Sequence, residues 1–451
     1  MSNQHTQTGK TVYIAGSSYS PYEKKALDNI SSLLVNQGYK TYMAHQKGIG
    51  AFIEKFKEDG KITDAGYASM YKALQRAIFC HELFNVVEAT DCFVFNMNGR
   101  VPDEGGVFLS AVAFSAGRPV VIYKNDHRAV FHGNNNSMID GCSWNYSYLK
   151  KINEIPEALQ AAERLHQRNS VTPFNRSRLP FYIQLSLKAG NEISDFLNEC
   201  KSGVERGSFD PDEFLNIILR IVWENFHIIL EKSNSSSVNF SETSISSKKR
   251  SVYCSGGLFS PEEINDMKQI SDVLESKGYQ TYLPQRDGVE AFVMNNTNGY
   301  MANSIFARPL LKSINKQIFA LDVFQIIEVC DYFVFNMNGR VPDEGGVVEL
   351  AIAMMHGKPI VIYKDDLRTL HFGIDHPILM GAGFDFRKTT NIENIPESLC
   401  RKSEIFSSFA SEPSELFIQS HLRKIIKDGS RVQKRINCIK WAAPENKMWT
   451  P

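Results

Sequence analysis

Cysteine is sparse and unpatterned in this chain. Cys80, Cys92, Cys142, Cys200, Cys254, Cys330, Cys400 and Cys438 form no CxxC pair and have no close His cluster. That argues against a zinc site or a disulfide framework and fits a reducing compartment. Net charge is missing as well. Lys plus Arg and Asp plus Glu both number 50, so no global field invites nucleic acid or an anionic membrane. Long apolar runs are absent too. The opening MSNQHTQTGK lacks the apolar core of a signal peptide. The most apolar helical stretch, Ile217–Leu230, carries Arg220, Glu224 and His227 and cannot span a bilayer. The chain reads as cytoplasmic, and its 451 residues suffice for two or three domains.

What is present is a repeat. FVFNMNGRVPDEGGV occurs at Phe93–Val107 and again at Phe333–Val347, displaced by 240 residues. The offset holds without a gap elsewhere: Tyr13 matches Tyr253, Gly38-Tyr39 matches Gly278-Tyr279, and Asp91 matches Asp331. Pro119 matches Pro359, and Ile155-Pro156-Glu157 matches Ile395-Pro396-Glu397. Such register is a tandem duplication. The organisation read from it is a first repeat over 9–165, a helical extension over 166–232 and a Ser-rich linker over 233–250. A second repeat follows over 251–405, with a helical tail over 406–451.

Each repeat opens on a short β-branched and aromatic run that ends in small residues. In repeat two this is Ser251–Gly256, followed by an amphipathic segment, Pro261–Lys277. A second strand is expected at Gln280–Leu283, then a long helical stretch to about Glu328. The apolar run Asp331–Asn336, a Gly-rich turn, the helix Glu344–His356 and the strand Pro359–Tyr363 complete the unit. Strands alternating with helices predict an α/β fold: two tandem flavodoxin-like (Rossmann-like) parallel-sheet domains with extra helices. Ligands then belong beyond the carboxyl ends of the strands. Phe181–Leu197 and Phe214–Leu230 read as helices of the extension, and Pro413–Asn437 as a helix that parallels the first of them.

The two copies differ at one telling position. Repeat two has Glu349 where repeat one has Leu109. Glu349 is the only charge in VVELAIAMM, a stretch apolar nearly all round, which should pack on the sheet and on other helices. A carboxylate in a slot that also accepts leucine is costly unless partnered or used. The plainer alternative is a glutamate at a helix edge reaching solvent. Asp343, six residues upstream, suits a helix N-cap, yet two carboxylates near one strand end can also flank a glycosidic bond. Gly345-Gly346 permits close approach of a ligand to the backbone. Tyr253 lies in the first strand beside Ser255-Gly256-Gly257, and Asp322 lies nine residues before Asp331. Taken separately, Tyr253 reads equally as a core tyrosine and Asp322 as a surface charge.

Together these segments resemble the nucleoside 2-deoxyribosyltransferase family. The marks are VYCSGGLF, LPQRDG at 283–288, the Asp322 to Asp331 spacing, and NGRVPDEGGVVEL followed by AxxxGKP. The resemblance implies that Glu349 is the nucleophile, that Asp322 and Asp343 contact and protonate the base, and that Tyr253 holds the nucleophile. It makes Gly256, Gly257, Arg286, Asp287, Gly345 and Gly346 candidates for substrate binding. It also implies exchange of the nucleobase of a 2′-deoxyribonucleoside through a covalent deoxyribosyl-enzyme. A retaining exchange needs a carboxylate at C1′ and an acid at the departing nitrogen, so no metal and no cofactor is expected. Ala351 and Ile352 depart from the family, where Gly and an aromatic are usual, which suggests altered specificity.

Family pockets resemble subunit-shared ones, closed by a neighbour's Asn-Pro-Met-like loop. Here repeat one has Asn136-Ser137-Met138 and repeat two has His376-Pro377-Ile378. The expectation is an intrachain pseudo-dimer in which repeat one lends Asn136 and Met138 to repeat two. Repeat one itself has Leu109, Glu82 for Asp322, and Gln46-Lys47 for Arg286-Asp287; it should be inert. The partners implied are a deoxynucleoside and a free nucleobase. Two other readings stand beside this one. A 2′-deoxynucleoside 5′-monophosphate N-hydrolase is disfavoured because SGGLFSPEE has no Arg for a phosphate. A non-catalytic nucleoside or nucleotide sensor would explain why the motif persists in the first copy.

Overall fold

The computed structural model describes residues 9–99, 103–126, 135–143, 146–168, 175–205, 209–235, 250–258, 260–291, 307–339, 342–369, 373–409 and 418–442. Repeat one builds a parallel sheet in the order β2-β1-β3-β4, from β1 (Thr11–Gly16), β2 (Lys40–Tyr42), β3 (Cys92–Asn96) and β4 (Val120–Tyr123). Repeat two builds β6-β5-β7-β8-β9 from β5 (Ser251–Ser255), β6 (Gln280–Tyr282), β7 (Tyr332–Asn336), β8 (Ile360–Tyr363) and β9 (Lys388–Thr389). The expected strands are present to within a residue or two. The duplication reaches down to capping chemistry. Ser20 with Glu23 and Ser260 with Glu263 form reciprocal capping boxes, each followed by a proline in the first helical turn.

The helix Glu344–Met355 is buried along nearly its whole length, which explains an apolar pattern with no polar face. One side covers its own sheet. Another packs against its counterpart in repeat one, Glu104–Ser115. Smaller contacts repeat around this seam. The ring of Phe319 lies against Gly141 and that of Phe79 against Gly381, with no room for a Cβ at either glycine.

The extension forms two helices, Phe181–Glu205 and Pro211–Ser235. The first packs on Gln75–Phe84, with Gly190 against the Cys80 carbonyl. In repeat two Ser420–Ala442 packs likewise on Ala307–Phe324, with Gly429 against the Ala320 carbonyl. The parallel expected for the tail helix is thus present, starting at Ser420. Both elements reach across: Tyr182 Oη donates to the Gly381 carbonyl at 2.6 Å, and Gln419 Nε2, just before the second helix, to that of Ala116 at 3.1 Å. Two expected segments, 236–249 of the linker and 292–306 before the long helix, lie outside the described residues. That helix runs on to Val329, close to the expected end, with its last five residues, Gln325–Val329, as a π turn. No helix among the described residues is long and apolar enough to cross a membrane.

Candidate active site

Strand register decides what faces Glu349. Tyr253 of β5 is level with Phe333 of β7, and their rings stack at 5.4 Å with planes 6° apart. Side chains alternate along a strand, so Tyr253 and Ser255 project on one face, toward the helix Glu344–Met355. Tyr253 Oη donates to Glu349 Oε1 at 2.9 Å, and Ser255 Oγ donates to Oε2 at 2.6 Å. Both carboxylate oxygens are therefore held. Gly346 makes room for this, since a Cβ there would lie 2.8 Å from Ser255 Oγ.

Asp343 caps the same helix, its Oδ2 accepting from the Gly346 amide at 2.6 Å. Asp322 is fully buried on Ala307–Phe324. Among the described residues, neither of its oxygens meets hydrogen-bonding geometry with a partner, nor do Glu290 Oε2 and Tyr282 Oη. Unpartnered buried polar atoms are uncommon in proteins; here they gather beside Glu349, where Asp322 and Glu290 act on each other electrostatically.

Burial pushes the Glu349 carboxyl up to about 8, against the Ser255 and Tyr253 hydrogen bonds and with the Asp343 charge adding to the rise. Asp322 is raised well above the carboxylate range, by burial first and then by Glu290 and Glu349. Glu290 rises to about 7 and Asp343 to about 6, again chiefly by burial. The site thus holds a carboxyl kept protonated, Asp322, beside one whose anion has two fixed donors, Glu349.

Sequence reasoning passed over Ser255 as a functional side chain and over Glu290 altogether. The signal was present: repeat one has Ala15 and Gly50 at those positions, the same kind of asymmetry as Leu109 for Glu349. In repeat one Tyr13 Oη instead donates to Glu82 Oε2 at 2.5 Å, and Tyr42 Oη donates to Glu82 Oε1 at 3.0 Å.

The other candidates divide. A Cβ on Gly345 would lie 2.8 Å from Asn136 Nδ2, so the Asn136 amide of repeat one stands over the first turn of the repeat-two helix. Asn136 Oδ1 accepts from the Met138 amide at 2.9 Å, and Met138 is buried. Gly256 and Gly257 face Asn336 and Glu263 and allow the end of β5 to lie against those neighbours. Arg286 is not brought to the carboxylate group. Its guanidinium donates to Glu275 at 3.0 Å and to the Thr281 carbonyl at 2.6 Å, and pairs with Asp287. Asp287 in turn accepts from the Leu283 amide at 3.0 Å. This pair braces the turn after β6.

A family model described as nucleoside 2-deoxyribosyltransferase matches residues 12–164 and again 252–401. The chain belongs to the nucleoside 2-deoxyribosyltransferase family. Both copies of the family domain coincide with the two sheets, as the ungapped repeat implied. No curated protein is similar enough to be matched to the chain. Among solved structures, the crystal structure of Os79 from O. sativa in complex with UDP aligns over 93% of this chain and 100% of its own at 10% identity, with a TM-score of 0.19. That likeness is too slight to bear on fold or function.

Proposed function

We propose that repeat two transfers a 2-deoxyribosyl group between nucleobases through an ester on Glu349, and that repeat one is non-catalytic and completes the pocket. The observation that carries this reading is the Glu349 carboxylate, buried with a hydroxyl donor on each oxygen. In the repeat that lacks Glu349, the Ser255 donor is lost as well.

The Glu349 anion attacks C1′ of a bound deoxynucleoside as the C1′–N bond breaks. Asp322 delivers its proton to the departing base, since burial together with Glu290 and Glu349 raises it well above the carboxylate range, while the Glu349 anion, with its two hydroxyl donors, forms as pH rises toward about 8. Asp343, at the helix N-terminus, accepts hydrogen bonds from the base. The incoming base then attacks C1′, returns a proton to Asp322 and frees Glu349. Asn136, beside Gly345, closes the pocket from repeat one, with Met138 behind it.

The test is chromatography of deoxyinosine or thymidine incubated with the protein, with and without adenine, beside Glu349→Ala. A new deoxynucleoside that needs adenine and vanishes in the variant is the expected result. Equal release of free base without acceptor would make the protein a hydrolase, and turnover that survives Glu349→Ala would remove the covalent step.

A further inference from the structure

Repeat one contains a cavity that the proposed transfer does not use. It has a volume of about 320 Å³, and its walls include Tyr67, Tyr71, Asp103, Leu109 and, from repeat two, His376. That is within the size range of small-molecule sites. The cavity lies at the carboxyl ends of β1 and β3, where a parallel sheet receives ligands.

Its chemistry differs from that of repeat two, where Glu349, Ser255, Glu290 and Asp322 stand in place of Leu109, Ala15, Gly50 and Glu82. Leu109 replaces the nucleophile, and both oxygens of Glu82 are taken by Tyr13 and Tyr42, so no carboxylate is free to attack a sugar. The means of holding a flat heterocycle remain. Tyr67 and Tyr71 stack on each other, 6.1 Å apart with planes 16° apart, with Lys57 Nζ 5.5 Å from the Tyr67 centroid, and the pair gives the cavity an aromatic wall against which a base can lie. Asp103 Oδ2 is used by the Gly106 amide at 2.6 Å, but Oδ1 has only a long 3.4 Å contact from Tyr19, which leaves an acceptor for a base N–H. His45 Nε2, also lining the cavity, makes no hydrogen bond among the described residues and has Asp28 Oδ1 3.9 Å away. The lysine on the wall, Lys24, is engaged by Glu54 at 2.9 and 3.1 Å, so the site favours an uncharged ligand over a phosphorylated one. His376 closes the cavity, for a Cβ on Gly105 would fall 2.6 Å from its Cε1.

We propose that the repeat-one cavity binds an intact nucleobase or 2′-deoxynucleoside and does not cleave it. The ligand class rests on the family reading of repeat two; the existence of the site does not depend on transfer occurring there.

Equilibrium dialysis of the Glu349→Gln protein against deoxyinosine and against thymidine gives the number of equivalents bound. Two per chain are expected with at least one of them, falling to one when Gly50→Trp is added. Gly50 lines the cavity and a Cβ there meets open space, so the indole fills it. A count that Gly50→Trp leaves unchanged, or no binding of either probe, overturns the proposal. Base exchange by the unmodified protein is assayed in parallel. An inactive protein with a Gly50-sensitive equivalent keeps this site and sinks the transfer reading; an active one whose count ignores Gly50→Trp does the reverse. Photo-labelling of Glu349→Gln with 8-azidoadenine guards against a variant that does not fold. Label on the peptide holding Tyr67 and Tyr71 supports the proposal, and label confined to repeat two overturns it.

Discussion

Tyr13 and Tyr253 stand at the same point of the same strand, stacked on equivalent phenylalanines at 5.2 and 5.4 Å, and their hydroxyls serve different carboxylates. Tyr253 holds Glu349; Tyr13 holds Glu82. The scaffold of the two repeats is nearly superimposable in its hydrogen-bonding devices, from capping boxes to the Asp103 and Asp343 N-caps. Among the many positions at which the repeats differ, four surround one carboxylate: Glu349 against Leu109, Ser255 against Ala15, Glu290 against Gly50, and Asp322 against Glu82. Glu349, Ser255 and Glu290 are thus all absent from repeat one, in keeping with the proposal that this copy is non-catalytic.

The sharpest way to break the comparison is to make repeat two resemble repeat one. Glu349→Ala is expected to lower exchange by roughly 10³-fold or more, read as loss of new deoxynucleoside on chromatography. Ser255→Ala leaves the nucleophile but removes one charge-assisted hydrogen bond. Such bonds are worth about 1.5–3 kcal/mol, so kcat/KM should fall roughly 10- to 100-fold. The pH profile separates this from a packing defect. Activity of the unmodified chain should rise with pH toward about 8 as the Glu349 proton leaves. In Ser255→Ala that rise should move to higher pH, because the anion has lost a donor. An unmoved profile would mean that Ser255 does not act through the carboxylate.

How much of this was legible beforehand follows from physics. The strands and motif helix were readable because alternation, β-branching and an unbroken 240-residue register all agree. Glu349 and Asp343 were readable because a lone charge and a capping aspartate stand out in an apolar helix. Ser255 was visible only as a small residue in a turn, since its role depends on strand register and on the space at Gly346. Glu290 sits beside a stretch without clear periodicity, and its electrostatic effect on Asp322 joins residues far apart in sequence. Arg286 illustrates the opposite case: a charged motif residue also braces Glu275 and Thr281, which no spacing rule reveals.

A milder perturbation tests whether the repeats depend on each other. Asn136→Ala removes an amide that stands beside Gly345 in the other repeat and also a helix N-cap. If repeat one lends this group to the pocket, KM for the deoxynucleoside should rise roughly 3- to 10-fold, a loss of about one hydrogen bond, with kcat less affected. Asn136→Ser, which keeps a capping oxygen, should restore the stability and not the KM. Unchanged kinetics in Asn136→Ala would leave repeat one a purely structural partner.

The smallest effect expected is on stability, and it comes from the same carboxyl group. Glu349 titrates near 4.5 when unfolded and near 8 when folded. Between those values the folded chain retains a proton that the unfolded chain has released, so the unfolding free energy falls as pH rises across the window. Glutamine at this position cannot ionise. Glu349→Gln should therefore match the unmodified chain in Tm near pH 4.5 and exceed it by roughly 3–6 °C at pH 8, while Asp322 and Glu290 keep part of the slope in both. Leu109 has no counterpart of this titration, so Leu109→Ala should leave the pH slope alone while lowering Tm throughout. Parallel melting curves for Glu349→Gln and the unmodified chain at both pH values would mean that Tyr253 and Ser255 stabilise the anion well enough to cancel its burial, and that the nucleophile is already ionised in the empty pocket.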